Sequence, residues 1–292
     1  MTGSGIHFRK MNGIGNDFVV LDLRAHPLAL GEEASRAIAD RTTGIGCDQL
    51  ITIEMPRDPA EADAYMGIRN ADGSMVGACG NATRCIGRLL IDELGKDLIR
   101  LETPSGTTVV CWDAGNGDIT VDMGEPKFGW ADIPLSEAFQ DTRMIELEVG
   151  PLGAPIMHSP SVVNVGNPHA IFFVDDVDAI DLGRVGPMLE NHPLFPERAN
   201  ISVAQVLAPD HIKLRTWERG AGLTRACGTA ACATAVCAVR RRRAERNVTI
   251  SLPGGDLRIE WNEADNHIYM TGPVAFEFEG DLDQRLLSGA AA

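Results

Sequence analysis

Two cysteines carry the strongest chemical signal in this chain. Cys79 and Cys227 stand in the same short motif, Ala78-Cys79-Gly80-Asn81-Ala82 and Ala226-Cys227-Gly228-Thr229-Ala230, spaced 148 residues apart. Each copy opens a run of helical composition. Asn81 to Leu94 carries Ile86, Leu89, Leu90 and Leu94, and Thr229 to Arg243 is rich in Ala and Val. Ahead of each cysteine lies a Gly-containing loop, Ala71-Asp72-Gly73-Ser74 or Arg219-Gly220-Ala221-Gly222. A thiol at a helix start feels the positive end of the helix dipole, which favours the thiolate. Two such thiols, one per copy, suggest two opposed bases.

Plainer readings compete. A free cysteine is most often a small buried hydrophobe, and that reading is taken for Cys85, Cys111, Cys232 and Cys237. Structural zinc sites prefer Cys pairs two to four residues apart. Five residues separate Cys79 from Cys85 and four separate Cys227 from Cys232, so the spacing fits zinc poorly, and no Cys-x-x-Cys redox pair is present. Asn16, Asn70, Asn81, Asn167 and Asn200 lie on loops or strand ends close to Gly or Pro, where each alone reads as a turn former. Together with Gln49, Glu218 and Arg219 they could build a pocket for a zwitterion. Arg binds a carboxylate in bidentate fashion, and carboxamides and Glu accept ammonium protons. The backbone N–H groups at the two helix starts are a natural carboxylate seat.

The elements that must position these groups repeat. In the first half, residues 6–10 and 17–23 read as strands joined by a tight Asn12–Asn16 loop, followed by a helical stretch over Glu32–Arg41. Strands over Gln49–Glu54 and Tyr65–Arg69 then lead to the first cysteine helix, and three short strands follow it. The second half repeats the plan, with strands at His169–Val174, Asn200–Val206 and Ile212–Trp217, a helix over Asp178–Asn191, and three strands after the second cysteine helix. Gly15-Asn16 with Gly166-Asn167, Cys79 with Cys227, Trp112 with Trp261 and Gly124 with Gly272 match at offsets of 148 to 151 residues. Four landmarks at nearly one offset indicate an internal duplication. The fold class is therefore α+β: two pseudo-symmetric halves, each a curved mixed sheet around a long central helix. The halves are placed at 1–124 and 125–272, with 273–288 free to pack back on the first. Gly124 to about Pro160, spaced by four prolines, reads as the linker, and the tail Ser288–Ala292 as frayed.

Composition narrows the function. The 292 residues are 44% hydrophobic and 23% charged, ordinary for a globular protein. A formal net charge of −15 argues against a nucleic-acid partner, since phosphate contacts need clustered Lys and Arg. The one basic run, Arg240–Arg243, closes the second cysteine helix and reads as a solvated end matched to the helix dipole. No apolar h-region is visible in Met1–Lys10 and no apolar run approaches the ~20 residues of a membrane span, so a cytoplasmic location without a membrane partner is expected. Seven cysteines are expected to be reduced. A pyridoxal phosphate enzyme needs a Schiff-base lysine, and Lys10, Lys96, Lys127 and Lys213 lie in no phosphate-binding Gly loop.

Several segments then resemble one family in order along nearly the whole chain: Asn12-Gly-Ile-Gly-Asn-Asp-Phe18, Gly44-Ile-Gly-Cys-Asp-Gln49, Asn70-Ala-Asp-Gly-Ser74, Ala78-Cys-Gly-Asn81, Gly166-Asn-Pro-His169, Phe195-Pro-Glu-Arg-Ala-Asn200, Trp217-Glu-Arg-Gly-Ala-Gly222 and Ala226-Cys-Gly-Thr229. They are similar to the diaminopimelate epimerases. The paired cysteine motifs alone would indicate a wider superfamily that includes proline and hydroxyproline racemases. The Asn-Ala-Asp-Gly and Glu-Arg-Gly segments make the resemblance specific.

The resemblance implies interconversion of LL- and meso-diaminopimelate at one α-carbon, without pyridoxal phosphate, other cofactor or metal. It also implies an active site in a cleft between the halves and a cytoplasmic homodimer. Carried over by position, Cys79 and Cys227 would be the base and acid, and His169 and Glu218 the residues that tune them. Asn16, Gln49, Asn70, Gly80, Asn81, Asn167, Asn200, Glu218, Arg219, Gly228 and Thr229 would contact substrate. Three positions depart from the family's commoner residues: Leu223 for Glu, Ala82 for Gly and Met75 for an acidic residue. The alternatives are another cofactor-independent racemase, of proline or hydroxyproline type, and a thiol redox or metal-binding protein.

Overall fold

The computed structural model describes residues 6–151 and 153–287, so the tail Ser288–Ala292 lies outside the described residues. The chain divides into two compact units, 1–121 with 272–292, and 122–271.

The first unit runs β1 (His7–Gly13), β2 (Asn16–Asp22), α1 (Glu32–Ala39), β3 (Gln49–Glu54), β4 (Ala64–Asn70), α2 (Gly80–Leu94), β5 (Leu98–Glu102), β6 (Thr108–Asp113) and β7 (Ile119–Asp122). The second runs β8 (Glu148–Val149), β9 (Met157–His158), β10 (Ser161–Asn164), β11 (Pro168–Phe173), α3 (Leu182–Glu190), β12 (Asn200–Ala208), β13 (His211–Glu218), β14 (Gly222–Thr224), α4 (Gly228–Arg240), β15 (Asn247–Leu252), β16 (Gly255–Trp261) and β17 (Ile268–Gly272). The chain then returns to the first unit as β18 (Ala275–Asp281) and α5 (Gln284–Leu287).

The strands of the first unit lie in the order β7-β6-β5-β4-β3-β2-β1-β18 and those of the second in the order β17-β16-β15-β13-β12-β11-β10. Every step has the same sense in both units. β1–β2 and β10–β11 are antiparallel, and β2–β3 and β11–β12 are parallel around α1 and α3. β3–β4 and β12–β13 are antiparallel, and β4–β5 and β13–β15 are parallel around α2 and α4. The two parallel pairs need the helical crossovers; the antiparallel ones close through short turns. Each unit is thus a mixed sheet around a central helix.

The central helices differ in how they are enclosed. α4 touches β10, β11, β12, β13, β15 and β16 and is buried on nearly every face from Ala230 to Ala238. Its Ala and Cys side chains suit that enclosure, because small residues let strands approach from several directions. α2 packs on β1, β5 and β6, keeps Arg88 and Asp92 toward solvent, and ends at Gly95 in the left-handed conformation (φ 63°). In β2, Phe18 to Leu21 are buried without interruption because the sheet is covered on both faces. Val19 and Leu21 pack with Ile38 of α1, Leu50 and Leu282.

Three sequence readings change. The first hairpin is tighter than expected: β1 continues to Gly13 and β2 begins at Asn16, leaving Ile14 (φ 55°) and Gly15 (φ 91°) as the turn. Positive φ at both central residues matches the twist of the flanking strands. The segment read as a linker is part of the second unit's core, since Ile133, Leu135, Ile145, Leu147 and Met157 cluster with Phe172 and Val203. Pro134 lies in a turn between the buried Ile133 and Leu135. The basic run is packed in part: Arg240 and Arg241 are half-buried, while Arg242 and Arg243 are exposed. The Arg240 guanidinium lies 4.0 Å from the Phe128 ring centroid, and Arg241 and Arg243 lie 5.1 and 5.2 Å from that of Phe173. The aromatic faces attract these cations, and the long side chains cover apolar surface.

Candidate active site

Both signalled cysteines occupy the residue immediately before a helix. Cys79 caps α2 with an extended backbone (φ −149°, ψ 108°), and Cys227 caps α4 in nearly the same conformation (φ −135°, ψ 106°). The cysteine side chain makes no cap hydrogen bond in either case. The first-turn N–H groups of Gly80, Asn81, Gly228 and Thr229 lie at the positive end of the helix, where N–H groups have no intrahelical acceptor.

Around Cys79 the first unit gathers a set of carboxamides. The Cys79 Sγ lies 3.9 Å from Asn16 Oδ1, and Asn81 Nδ2 donates to the same oxygen at 3.2 Å. Asn16 reaches this place because it is the first residue after the β1–β2 turn, and its own amide donates to Asp48 at 3.0 Å. Behind Asn81, the fully buried Arg84 donates to Asn81 Oδ1 at 3.0 Å. Gln49 and Asn70 are cross-strand partners on β3 and β4; Gln49 Nε2 donates to Asn70 Oδ1 at 3.2 Å. The Gln49 Oε1 is buried and has no hydrogen-bond partner. A buried carbonyl oxygen left without a donor is costly unless something arrives to supply one.

The second unit gathers a comparable polar set on β11, β12 and β13. His169 on β11 is fully buried and sits opposite Asn200 on β12. Its Nε2 donates to Asn167 Oδ1 at 2.7 Å, which leaves Nδ1 as the lone-pair nitrogen, buried and without a partner. Burial, with a smaller contribution from the Arg219 charge, lowers the His169 pKa to about 3, so the ring is neutral. Asn200 Oδ1 accepts the backbone N–H of Arg219 at 2.8 Å, tying β12 to the turn that follows Glu218. Glu218, at the end of β13, pairs with Gly222 across that turn and accepts a hydrogen bond from the Thr224 hydroxyl. The Arg219 guanidinium donates to the Glu197 carbonyl at 2.9 Å.

The electrostatics of Cys227 oppose the expectation from its helix start. Burial and the adjacent Glu218 carboxylate push the thiol well above its ordinary value, and the Thr229 hydroxyl, 3.5 Å from Sγ, and the Ala230 N–H lower it less. Desolvation penalises the charged form more than the helix end rewards it. Burial and Glu218 thus favour the protonated thiol at Cys227. Cys85, Cys111 and Cys237 are buried with pKa values pushed to about 12 by desolvation, as suits inert core cysteines. Among the described residues, no group of three or more His, Cys, Asp or Glu side chains could hold a metal ion, and no helix is long and apolar enough to cross a membrane.

Two buried charges on helices escaped the sequence reading. Arg84 backs Asn81, and Glu190, at the end of α3, accepts from Gly220 N at 3.0 Å and from Trp217 Nε1 at 2.7 Å. Each is an ordinary charged residue in a helical pattern, so the only signal was its position on the inward face.

Each of the two like-folded units places a cysteine immediately before its central helix, and the fold is one shared by a class of proteins that includes solved epimerases. Solved structures with this fold include a hydroxyproline epimerase from Agrobacterium vitis, 14% identical with a TM-score of 0.66 over 100% of this chain and 96% of that one. A phenazine biosynthesis protein from Bacillus anthracis is 17% identical with a TM-score of 0.64, over 96% and 98% of the two chains. At such identities the likeness is one of fold. Within that class the family model for diaminopimelate epimerase matches residues 8–129 and 161–277, and a diaminopimelate epimerase of Rhodopseudomonas palustris (strain BisA53) is 58% identical over 97% of each chain. The chain belongs to the diaminopimelate epimerase family.

Proposed function

We propose that this chain interconverts LL- and meso-2,6-diaminopimelate, in the supply of lysine and peptidoglycan precursors, by a two-thiol proton transfer at one α-carbon. Inverting a carbon stereocentre requires taking the proton from one face and returning one to the other, so two acid–base groups are needed. Cys79 and Cys227 are those groups. The observation that carries this reading is their placement: each is the residue before a helix, in equivalent connections of two units with the same strand order.

In one direction a thiolate removes the α-proton, the electron pair is held as the carbanion, and the opposite thiol donates its proton to that carbon. The roles exchange in reverse. Cys227, favoured as the thiol by its burial and by Glu218, is ready to donate. An ammonium bound against Glu218 offsets the carboxylate that raises Cys227, so substrate prepares this group to ionise in the other direction. Neutral His169 places a lone pair in the same polar cluster and adds no positive charge there. The α-carboxylate is held by the N–H groups of Gly80, Asn81, Gly228 and Thr229, which stabilise charge as it develops. Asn16, Gln49, Asn70, Asn167 and Asn200 supply carboxamide contacts. The orphaned Gln49 Oε1 suits an ammonium proton, and Arg219 suits the distal carboxylate.

The same reading includes a cytoplasmic homodimer with a small amino-acid substrate, no cofactor and no metal. An excess of 41 acidic over 26 basic side chains supports the exclusion of nucleic acid. The test is α-hydrogen exchange in D2O on reduced, metal-free protein with LL-diaminopimelate, beside Cys79→Ala and Cys227→Ala. Deuterium entry with formation of the meso isomer, lost in both variants, is the expected result. Exchange of proline or hydroxyproline in place of diaminopimelate would move the substrate, and retained epimerisation in either variant would remove the two-thiol scheme.

A further inference from the structure

The carboxylate of Glu190 gathers three donors. Glu190 is the last residue of α3 and is 5% exposed. Its Oε2 accepts the Trp217 indole N–H at 2.7 Å, and its Oε1 accepts the Gly220 N–H at 3.0 Å and the Arg198 guanidinium at 3.2 Å. Trp217 and Gly220 bracket Glu218 and Arg219. The carboxylate therefore grips the chain on either side of the two charged residues to which the proposed function gives substrate and thiol roles.

The rest of the turn shows what that grip controls. Gly220 (φ 76°) and Gly222 (φ 86°) both take the left-handed conformation, and the Ala221 N–H returns to the Glu218 carbonyl at 3.1 Å. Two glycines make such a loop easy to form and equally easy to leave. Its shape is imposed from outside by Asn200 on the Arg219 N–H and by Glu190 on the next N–H along the chain. Trp217 is pressed against α3 itself, since a Cβ on Gly186 would lie 2.6 Å from its indole ring. Helix and turn are thus locked by one face-to-face contact and one buried carboxylate.

We propose that Glu190 is a positioning residue for the reaction: it sets the Glu218–Gly222 turn so that Glu218 stands beside Cys227 and Arg219 faces the substrate. This rests on the proposed function for the roles of those two residues. A carboxylate suits the task because it accepts on both oxygens, and charged acceptors make the stronger bonds. Glutamine at this place would turn an NH2 group toward one of the donors, so the volume is kept and the grip is broken.

The experiment uses Glu190→Gln and, as a milder perturbation that removes only the indole donor, Trp217→Phe, each checked for folding by its thermal transition. Two readouts are taken. In the first, kcat and KM for diaminopimelate are measured separately; kcat/KM is expected to fall by roughly ten- to a hundredfold in Glu190→Gln, and less in Trp217→Phe, as about 1 Å of misplacement costs. The second needs no substrate: the pH dependence of Cys227 modification by methyl methanethiosulfonate. Moving the Glu218 carboxylate away lets the thiol ionise at lower pH, so the profile shifts downward. Folded Glu190→Gln with unchanged kcat, KM and Cys227 profile would overturn the proposal. If Glu190→Gln does not fold, unchanged kinetics and profile in Trp217→Phe overturn it. A shifted profile in a protein that fails to epimerise diaminopimelate would uphold Glu190 and remove the proposed function instead.

Discussion

His169 makes the protein's stability depend on pH in a way that can be calculated from one residue. Buried beside Asn167 and Asn200, it has its pKa lowered from 6.5 to about 3, first by desolvation and then by the Arg219 charge. The unfolded chain therefore binds a proton at this side chain below pH 6.5 that the folded chain does not bind until about pH 3. More protons on the unfolded state means that stability rises with pH, and it is lost as pH falls from 6.5 toward 3. The slope is about 1.4 kcal/mol per pH unit, so at pH 5 the folded state has lost about 2 kcal/mol through this group alone. His169→Gln keeps an amide donor for Asn167 and removes the titration. Urea unfolding of both proteins at pH 7.5 and pH 5 isolates the effect, because all other titrating groups cancel in the difference. The wild type should lose about 2 kcal/mol more than the variant between the two pH values. Equal losses would refute the reasoning and mean that His169 is protonated in the folded protein. The same neutrality has a kinetic consequence. Any acid limb of kcat/KM between pH 5 and pH 8 must belong to a group other than His169.

Two more predictions concern what supports the site. Lys10, 4% exposed, pairs with Asp17 immediately after Asn16, and Asp17, despite a desolvation that raises it, is held well below the usual carboxylate range by Arg41 and Lys10. Lys10→Met should destabilise by about 3 kcal/mol, read as a lower urea midpoint, while adding Asp17→Asn should recover part of the loss; a strictly additive double variant would show that the pair is not coupled. The Asp17 contribution runs opposite to that of a raised group: it is present above the unfolded carboxylate value and fades as pH falls. Gly186→Ala places a methyl group 2.6 Å from the Trp217 ring, and should cost about 1–3 kcal/mol by overpacking and lower kcat/KM by displacing the Glu218 turn. Unchanged stability would mean that α3 can retreat from Trp217 without strain.

Much of the plan could be read from the residues because the duplication states it twice. The cysteine motifs, the paired Gly-Asn turns and the paired Trp residues all fall on equivalent elements, with Trp112 on β6 and Trp261 on β16. The segment 124–160 was not legible, because its short buried stretches lie between prolines and carry neither helical nor strand periodicity. Its core residues are recognisable only once β10 and β11 are in place. The segment 273–288 was expected to be free to pack back on the first half, but its strand β18 was not read as one, since its partner β1 lies at the other end of the sequence and its side chains are mostly exposed. Arg84 and Glu190 were hidden by type. A charged residue in an amphipathic helix is normally solvated, and nothing local distinguishes one that is buried against its own site.

Equivalent positions in the two units also show how a duplication can yield two unlike thiols. Cys79 and Cys227 correspond, and so do Asn16 and Asn167 at the mouths of their hairpins. Gln49 lies opposite Asn70 in the first unit. In the second, the register that sets Ile201 against Trp217 brings Asn200 opposite Glu218. A neutral carboxamide in one unit is thus replaced by a carboxylate in the other. Five residues after each cysteine the difference has the opposite sign: the first unit buries Arg84, and the second has Cys232. At these two equivalent positions the first unit therefore carries an added arginine and the second an added glutamate. Two identical thiols could share one proton without preference, whereas unlike surroundings bias which of the two holds it. The proposed chemistry needs one thiol and one thiolate, and under that proposal substitutions at two equivalent positions would bias the pair in opposite directions while leaving the backbone plan unchanged.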